Sequence, residues 1–312
     1  MTLGELQQWV GDTQHFMSAF WRTRPAVFDT GPSAPMDLGD VDTALASGLL
    51  RTPHVEMVRA EQKIDQDSYT SPREVEFQRY PGFADSEAVT GLLREGATLL
   101  LRNTEQWHRP TAQLVSRFAA ELGRRIEAFY FITPPGAQGL PLHRDDADVF
   151  LLQIAGSKEW TVRSGPATPN WGPGSVIEEP GPVLLHTTVT EGQVLYIPNG
   201  YAHSAVTAKD LSVHLSLTVR EIGSSHLTRA LPRLLLEGVR LQARPRDEDG
   251  LLESASLLLD TVRARLATVL PQDLVRFARE AQSRQMTNDG EPASIARFVE
   301  ELVDAGEAPK AR

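Results

Sequence analysis

The chain has 312 residues, with 31 basic and 41 acidic side chains, a net charge of −10 and no cysteine. That length can bury one large core and a second, smaller one, and the lack of cysteine excludes disulfide frameworks, thiolate zinc sites and cysteine nucleophiles. The acidic balance opposes binding to nucleic acid or anionic membrane and suits basic partners; with no membrane-length apolar run and no leader-like pattern in MTLGELQQWVGDTQHF, a cytoplasmic location is expected.

The first thirty residues read as helix, with Leu3, Leu6, Trp9 and Val10 on one side, and after Pro25 comes a strand at Ala26-Val27-Phe28. Residues 32 to 97 mix short apolar pieces with turn residues, and an irregular wrapping is expected there. From about Ala97 to Val219 the pattern changes to short apolar runs punctuated by glycine and proline: ATLLLRN, FYFITPPGAQG, VFLLQIAGSKEWTV, GPVLLHTTVTEGQVLYIPNGYAHSAV and LSVHLSLTV. One helical segment, TAQLVSRFAAELGRR, interrupts them. This spacing predicts an all-β sandwich or barrel such as a jelly roll. A hairpin turn is expected near Ala155-Gly156-Ser157, returning the chain through Lys158 to Val162.

After Glu221 the period becomes helical. Leu251, Ala255, Leu258, Val262, Leu266 and Val269 share one face, Pro271 ends that run, and QDLVRFAREAQ follows. A last helix, SIARFVEELVDA, carries Ile295, Phe298, Val299, Leu302 and Val303. The stripes predict either core packing within a helical cap or a homodimer interface. The fold class expected is α+β with a mainly β core, a helical and irregular N-terminal flank and a C-terminal α-helical region. The domains are 1–222, with the β core at about 97–222, and 223–312.

The stretch HRDDADVFLLQIAGSKEW, beginning at His143, carries the chemistry. H-R-D opens the catalytic loop of a protein kinase, but that loop needs leucine and asparagine where Asp146 and Phe150 stand, and no D-F-G or G-x-G-x-x-G occurs. The kinase reading fails. On a strand, His143 and Asp145 point the same way. With a histidine from another strand they make the facial triad of non-haem Fe(II) oxygenases, which leaves three positions for a bidentate 2-oxo acid and O2.

A second H-x-[DE], His54-Val55-Glu56, is read as chance, its histidine solvated or internally satisfied. His143 differs because it follows the turn-rich TPPGAQGLPL and precedes a long apolar strand. Among the other histidines His203 is best placed as third ligand, after the turn Pro198-Asn199-Gly200. In LSVHLSLTV the polar set Ser212, His214, Ser216 and Thr218 faces either solvent or a polar lumen. Lys158 is either an exposed edge lysine or, aimed inward, the cation that a dicarboxylic cofactor requires.

These residues resemble the JmjC-type, cupin-fold 2-oxoglutarate/Fe(II) oxygenases of the ribosomal oxygenase group. The likeness is strongest over FWRTRPAVFDTG, from GATLLL through FITPPGAQGLPLHRDDADVFLLQIAGSKEWTV, and over GQVLYIPNGYAHSAV and SVHLSLTV. It implies a double-stranded β-helix binding Fe(II) through His143, Asp145 and His203. It further implies Lys158 on the distal carboxylate of the cosubstrate 2-oxoglutarate, assisted by Thr218, with O2 as the other cosubstrate.

Three departures accompany the resemblance. Phe129, with Tyr130 alongside as a cosubstrate neighbour, stands where some relatives have asparagine; Arg144 replaces a tyrosine between the first two ligands; and the region after the core is short for a dimerisation bundle plus a winged-helix domain. The implied function is hydroxylation of a protein or peptide side chain, ribosomal proteins being the substrates of familiar relatives. The alternatives are demethylation, a tailoring hydroxylase of a small-molecule or peptide natural product, a zinc-dependent cupin, and a cupin-fold binding or regulatory protein without oxygenase activity.

Overall fold

The computed structural model describes residues 4–29, 31–59, 62–138, 140–207, 210–284 and 294–304. Its strands are β1 (Ala26–Phe28), β2 (Val55–Arg59), β3 (Gln62–Lys63), β4 (Thr70–Val75), β5 (Gln78–Ala84), β6 (Thr98–Arg102), β7 (Arg125–Thr133), β8 (His143–Arg144), β9 (Ala147–Arg163), β10 (Gly174–Ser175), β11 (Val183–Thr190), β12 (Val194–Ile197), β13 (His203–Val206) and β14 (Ser212–Arg220). All pair antiparallel. A large sheet runs β3-β2-β6-β7-β14-β9-β12-β1 and a smaller one β10-β8-β13-β9-β11, wrapped together as a cupin-type jelly roll.

β9 joins the two sheets. Its residues 147–156 pair with β14 and its residues 157–163 with β11. The hairpin expected at Ala155-Gly156-Ser157 is therefore corrected: the chain bends there and continues into the second sheet. Gly156 has φ +64°, and a Cβ on it would lie 1.7 Å from the Leu211 carbonyl oxygen. A glycine inside an apolar run reads as a turn in one dimension, but here it lets two backbones touch where a strand changes sheets.

The helices of this part are α1 (Glu5–Val10), α2 (Thr13–Ala19), α3 (Leu38–Ser47), α4 (Ser86–Arg94) and α5 (Arg109–Leu122). Gly11, at φ +74°, splits the expected N-terminal helix into two, and Leu3 lies outside the described residues. Leu6, Trp9, Phe16, Leu114 and Phe118 from these helices pack on the outer face of the large sheet against Tyr130, Phe150, Tyr196 and Val213. Edge-to-face contacts at 5.4 Å (Trp9–Phe118) and 4.9 Å (Phe16–Tyr196) order that layer. A second apolar cluster, including Val149, Leu151, Trp160, Leu195 and Ile197, lies between the sheets.

Residues 32–97 are more regular than expected. They hold α3, α4, the β2–β3 pair and the β4–β5 hairpin. The hairpin turns at Glu76 and Phe77, both with positive φ, where sequence reading looks for asparagine or glycine, and Pro72 and Pro81 sit within its strands. Its signals were therefore masked.

The chain divides into units 1–221 and 222–312. The second contains α6 (Ser224–Leu236), α7 (Glu248–Leu266), α8 (Pro271–Arg284) and α9 (Ile295–Asp304). α6 packs on α7 and α8, and the Arg265 guanidinium caps the end of α6 by donating to the carbonyls of Leu235 (3.0 Å) and Glu237 (2.8 Å). The stripe on α7 is not a buried face: Leu258 and Val262 are half-buried, but Leu251 and Leu266 are more than half exposed. α6 and α8 cover too little surface to bury it. Ile295 and Phe298 are exposed on α9, while the side chains of Val299, Leu302 and Val303 lie outside the described residues.

Candidate active site

The site is framed by alternation on two strands. On β14, Val213, Leu215, Leu217 and Val219 enter the outer core, which sends His214, Ser216, Thr218 and Arg220 to the opposite face, where they line a cavity of about 160 Å³ between the sheets. The polar set thus faces a lumen and not solvent. On β7 the same rule turns Phe129 and Phe131 inward and Tyr130 outward. Tyr130 is fully buried in the outer core and its hydroxyl has no partner among the described residues, so its expected place beside the cosubstrate is corrected.

His143, Asp145 and His203 come together on the cavity wall, with one donor atom from each within 4.8 Å of the others; among the described residues this is the one such cluster of potential metal ligands. His143 and His203 are direct antiparallel partners, which aligns their rings at 4.2 Å. Asp145 Oδ2 lies 3.8 Å from His143 Nε2 and 3.6 Å from His203 Nε2. Each ring's Nδ1 contacts a backbone carbonyl, that of Pro141 at 2.7 Å and that of Tyr201 at 3.0 Å. A carbonyl can only accept, so both Nδ1 atoms carry the proton and both Nε2 lone pairs face the shared point. Burial, and then the neighbouring His143, push the pKa of His203 well below the usual imidazole range, which keeps it neutral as a ligand must be.

At the other end of the cavity stands Lys158. It is 4% exposed, no carboxylate among the described residues pairs with it, and its Nζ donates to Thr133 Oγ1 at 3.2 Å. Burial lowers its pKa to about 8. Around it are Thr98, hydrogen-bonded to Thr133, and His214, which is stacked on Phe131 and held neutral by burial and by Lys158 itself. Trp160 stands between the two ends, its ring 5.7 Å from Lys158 Nζ and 6.2 Å from the His203 ring.

The expectation for Thr218 needs a correction. It lines the cavity, but its strand register pairs it with Glu127, whereas Ser212 pairs with the Thr133 that Lys158 touches. Six residues of strand separate them, about 20 Å. Its hydroxyl meets the Glu127 carbonyl at 3.4 Å. Thr133, Thr98 and His214 are the polar neighbours of Lys158, and only the alternation in LSVHLSLTV hinted at one of them.

Sequence reading also missed the groups that hold the second ligand arm. Asp148 is fully buried and accepts from Tyr196 Oη (2.7 Å), Asn199 N (3.1 Å) and Arg22 Nε (3.1 Å), so it ties FWRTRP to the turn before His203. Its pKa is raised, burial outweighing Arg22. At His54-Val55-Glu56, His54 Nδ1 contacts the Arg102 carbonyl and Glu56 is paired with Arg102 and Lys63, the satisfied arrangement expected there.

Two imidazoles and one carboxylate suit a divalent iron with open positions, and a buried ammonium without a counter-ion suits one end of a dicarboxylate. A jelly roll carrying this pair of features defines the class of the cupin-fold 2-oxoglutarate oxygenases. Comparison with known proteins agrees. Residues 101–227 match the family model described as the JmjC domain. Ribosomal oxygenase 1 of Bos taurus is 29% identical over 227 residues, covering 70% of this chain and 33% of that protein. Ribosomal oxygenase 2 of Bos taurus is 36% identical over 137 residues, 40% of this chain and 28% of that protein. The structure of YcfD, a ribosomal oxygenase from Escherichia coli, in complex with cobalt and 2-oxoglutarate aligns at a TM-score of 0.57 and 18% identity over 96% of this chain and 79% of that one, a likeness of fold.

Residues 101–227 thus carry the likeness to a JmjC domain, and the chain is similar to the ribosomal oxygenases over that core. It spans about a third of the length of the first curated relatives it matches.

Proposed function

We propose that this protein hydroxylates a side chain of a protein or peptide, using Fe(II), 2-oxoglutarate and O2. The observation that carries the reading is the pairing, in one cavity, of the His143/Asp145/His203 cluster with the uncompensated Lys158. When bound, iron and 2-oxoglutarate supply an oxidant for an unactivated C–H bond through oxidative decarboxylation of the cosubstrate. The chain's own part is positional. His143, Asp145 and His203 hold the metal on one face, and Lys158 supplies the positive charge for the cosubstrate's far carboxylate. Phe129, Phe131, Leu140, Val149 and Ile197 line the cavity and exclude water, and Arg102 and Arg220 stand at its more exposed end.

Two observations support a macromolecular substrate. The relatives named above are ribosomal oxygenases, and others carry the name bifunctional lysine-specific demethylase and histidyl-hydroxylase. The net charge of −10 suits a basic protein. Hydroxylation is proposed over demethylation. No helix of the described residues is long and apolar enough to cross a membrane. The exposed Leu251, Leu252, Leu257, Leu259 and Leu266 of α7 support a homodimer through the C-terminal helices, to be tested by light scattering.

Protein supplied with Fe(II), ascorbate and 2-oxoglutarate is expected to release succinate slowly, and His143→Ala or Asp145→Ala to abolish that release. Intact-mass screening of candidate proteins should show a 2-oxoglutarate-dependent gain of about 16 Da, one oxygen atom. Wild-type protein that neither binds 2-oxoglutarate nor turns it over would refute the reading.

A further inference from the structure

Arg144 separates the first two ligands of the cluster and points away from them. It is 4% exposed, and its guanidinium is engaged on two sides. Nε donates to the Gly200 carbonyl at 3.0 Å and Nη1 to Glu178 Oε1 at 2.7 Å. The next residue completes a ring, because the Gly200 amide donates to the Asp145 carbonyl at 3.0 Å. Both polar groups of Gly200 are therefore held by consecutive residues of the H-R-D arm, three positions before His203.

The third member of the assembly is the segment 164–182. Gly200 has φ +78°, and a Cβ on it would come within 2.9 Å of Trp171 and 3.2 Å of Pro166, so this segment lies directly on the turn. The same segment supplies Glu178. Its β10 also pairs with β8, placing Ser175 opposite His143.

We propose that Arg144 is a positioning residue that fixes the H-x-D arm relative to the His203 arm, with Glu178 holding its guanidinium in place. This rests on the reading of the three residues as a metal site. The alternative is a buried arginine that contributes to packing alone. The two differ in what they move: a packing residue changes the stability of the fold, whereas one that sets ligand spacing changes the affinity for the ion, commonly by about 10- to 100-fold for such outer partners.

The test is calorimetric titration of metal-free protein with Co(II), with the visible spectrum of bound cobalt and the melting temperature recorded in parallel. Arg144→Met keeps the bulk and removes the donors; it is expected to weaken Co(II) binding about 10- to 100-fold and to shift the cobalt bands. Arg144→Lys, which retains one donor, should recover part of the affinity, and Glu178→Gln should lose about two- to fivefold, equivalent to about 0.4–1 kcal/mol.

Co(II) affinity of Arg144→Met within about threefold of wild type, whatever happens to its melting temperature, overturns the proposal. Should Arg144→Met fail to fold, unchanged affinity in both Arg144→Lys and Glu178→Gln overturns it instead. Failure of the underlying reading looks different: wild type would not bind Co(II), or His143→Ala would bind it equally well, and either result removes both claims.

Discussion

Replacing Lys158 by methionine probes the cavity most directly, because the side chain is buried with no counter-ion among the described residues. Lowering its pKa from 10.5 to about 8 means that burial disfavours the ammonium by roughly 3 kcal/mol, since a tenfold change in a protonation equilibrium is about 1.4 kcal/mol. The folded state then binds fewer protons than the unfolded state between pH 8 and 10.5. The penalty is fully present below pH 8, and stability rises as pH climbs through that window. Lys158→Met, of similar length and apolar, should stabilise the cosubstrate-free protein by about 1–3 kcal/mol at pH 7, with less gain near pH 10.

The same substitution should damage cosubstrate binding. A hydrogen bond to a charged group contributes about 1.5–3 kcal/mol, so 2-oxoglutarate affinity should fall about 10- to 150-fold. Wild-type affinity should itself fall about tenfold from pH 7 to 9, as the protonated fraction drops from about nine-tenths to about one-tenth. The variant should lose that dependence. Urea unfolding at pH 7 and 10, with calorimetric titration of 2-oxoglutarate at pH 7 and 9 in the presence of Mn(II), measures all of this. A variant that at pH 7 is no more stable than wild type and binds 2-oxoglutarate within threefold of it would refute the account of Lys158 as an uncompensated cation awaiting a carboxylate.

Asp148→Ala strands Tyr196 Oη and the Asn199 amide and leaves Arg22 to Glu221; urea unfolding should show a loss of about 3–5 kcal/mol. Asp148→Asn, which retains an acceptor, should lose less, and equal losses would mean that the hydrogen bonds are not what matters. Gly156→Ala forces a Cβ into the Leu211 carbonyl at positive φ and should cost at least about 2 kcal/mol, or block folding outright. If it melts like wild type, the close approach of the two backbones is wrong.

Much of the site was legible because it is local. His143 and Asp145 are two apart, and a strand puts such residues on one side whatever the rest of the chain does. The turn Pro198-Asn199-Gly200 marked the strand that brings His203. Lys158 and the polar side of LSVHLSLTV were each readable in two ways, since a period of two fixes which residues share a face and says nothing about what that face meets. The helix stripe on α7 shows the same gap: periodicity identified a face that the neighbouring helices then left uncovered.

What the sequence settled by itself was the run of short strands from about 97 to 219, the two-residue ligand spacing and the polar-apolar alternation, all consequences of backbone geometry over a few residues. What the tertiary structure decided was register and packing. Pairing of Ser212 with Thr133 separates Thr218 from Lys158, and burial of both faces of β14 makes its polar side a lumen. Gly156 became a bend because Leu211, fifty-five positions on, approaches it. Tyr130 turned outward because its two neighbours turn inward, and Arg144, between the first two ligands, found Gly200 and Glu178. Each outcome depends on residues distant in the chain, and a contact between them exists only once the sheets have closed.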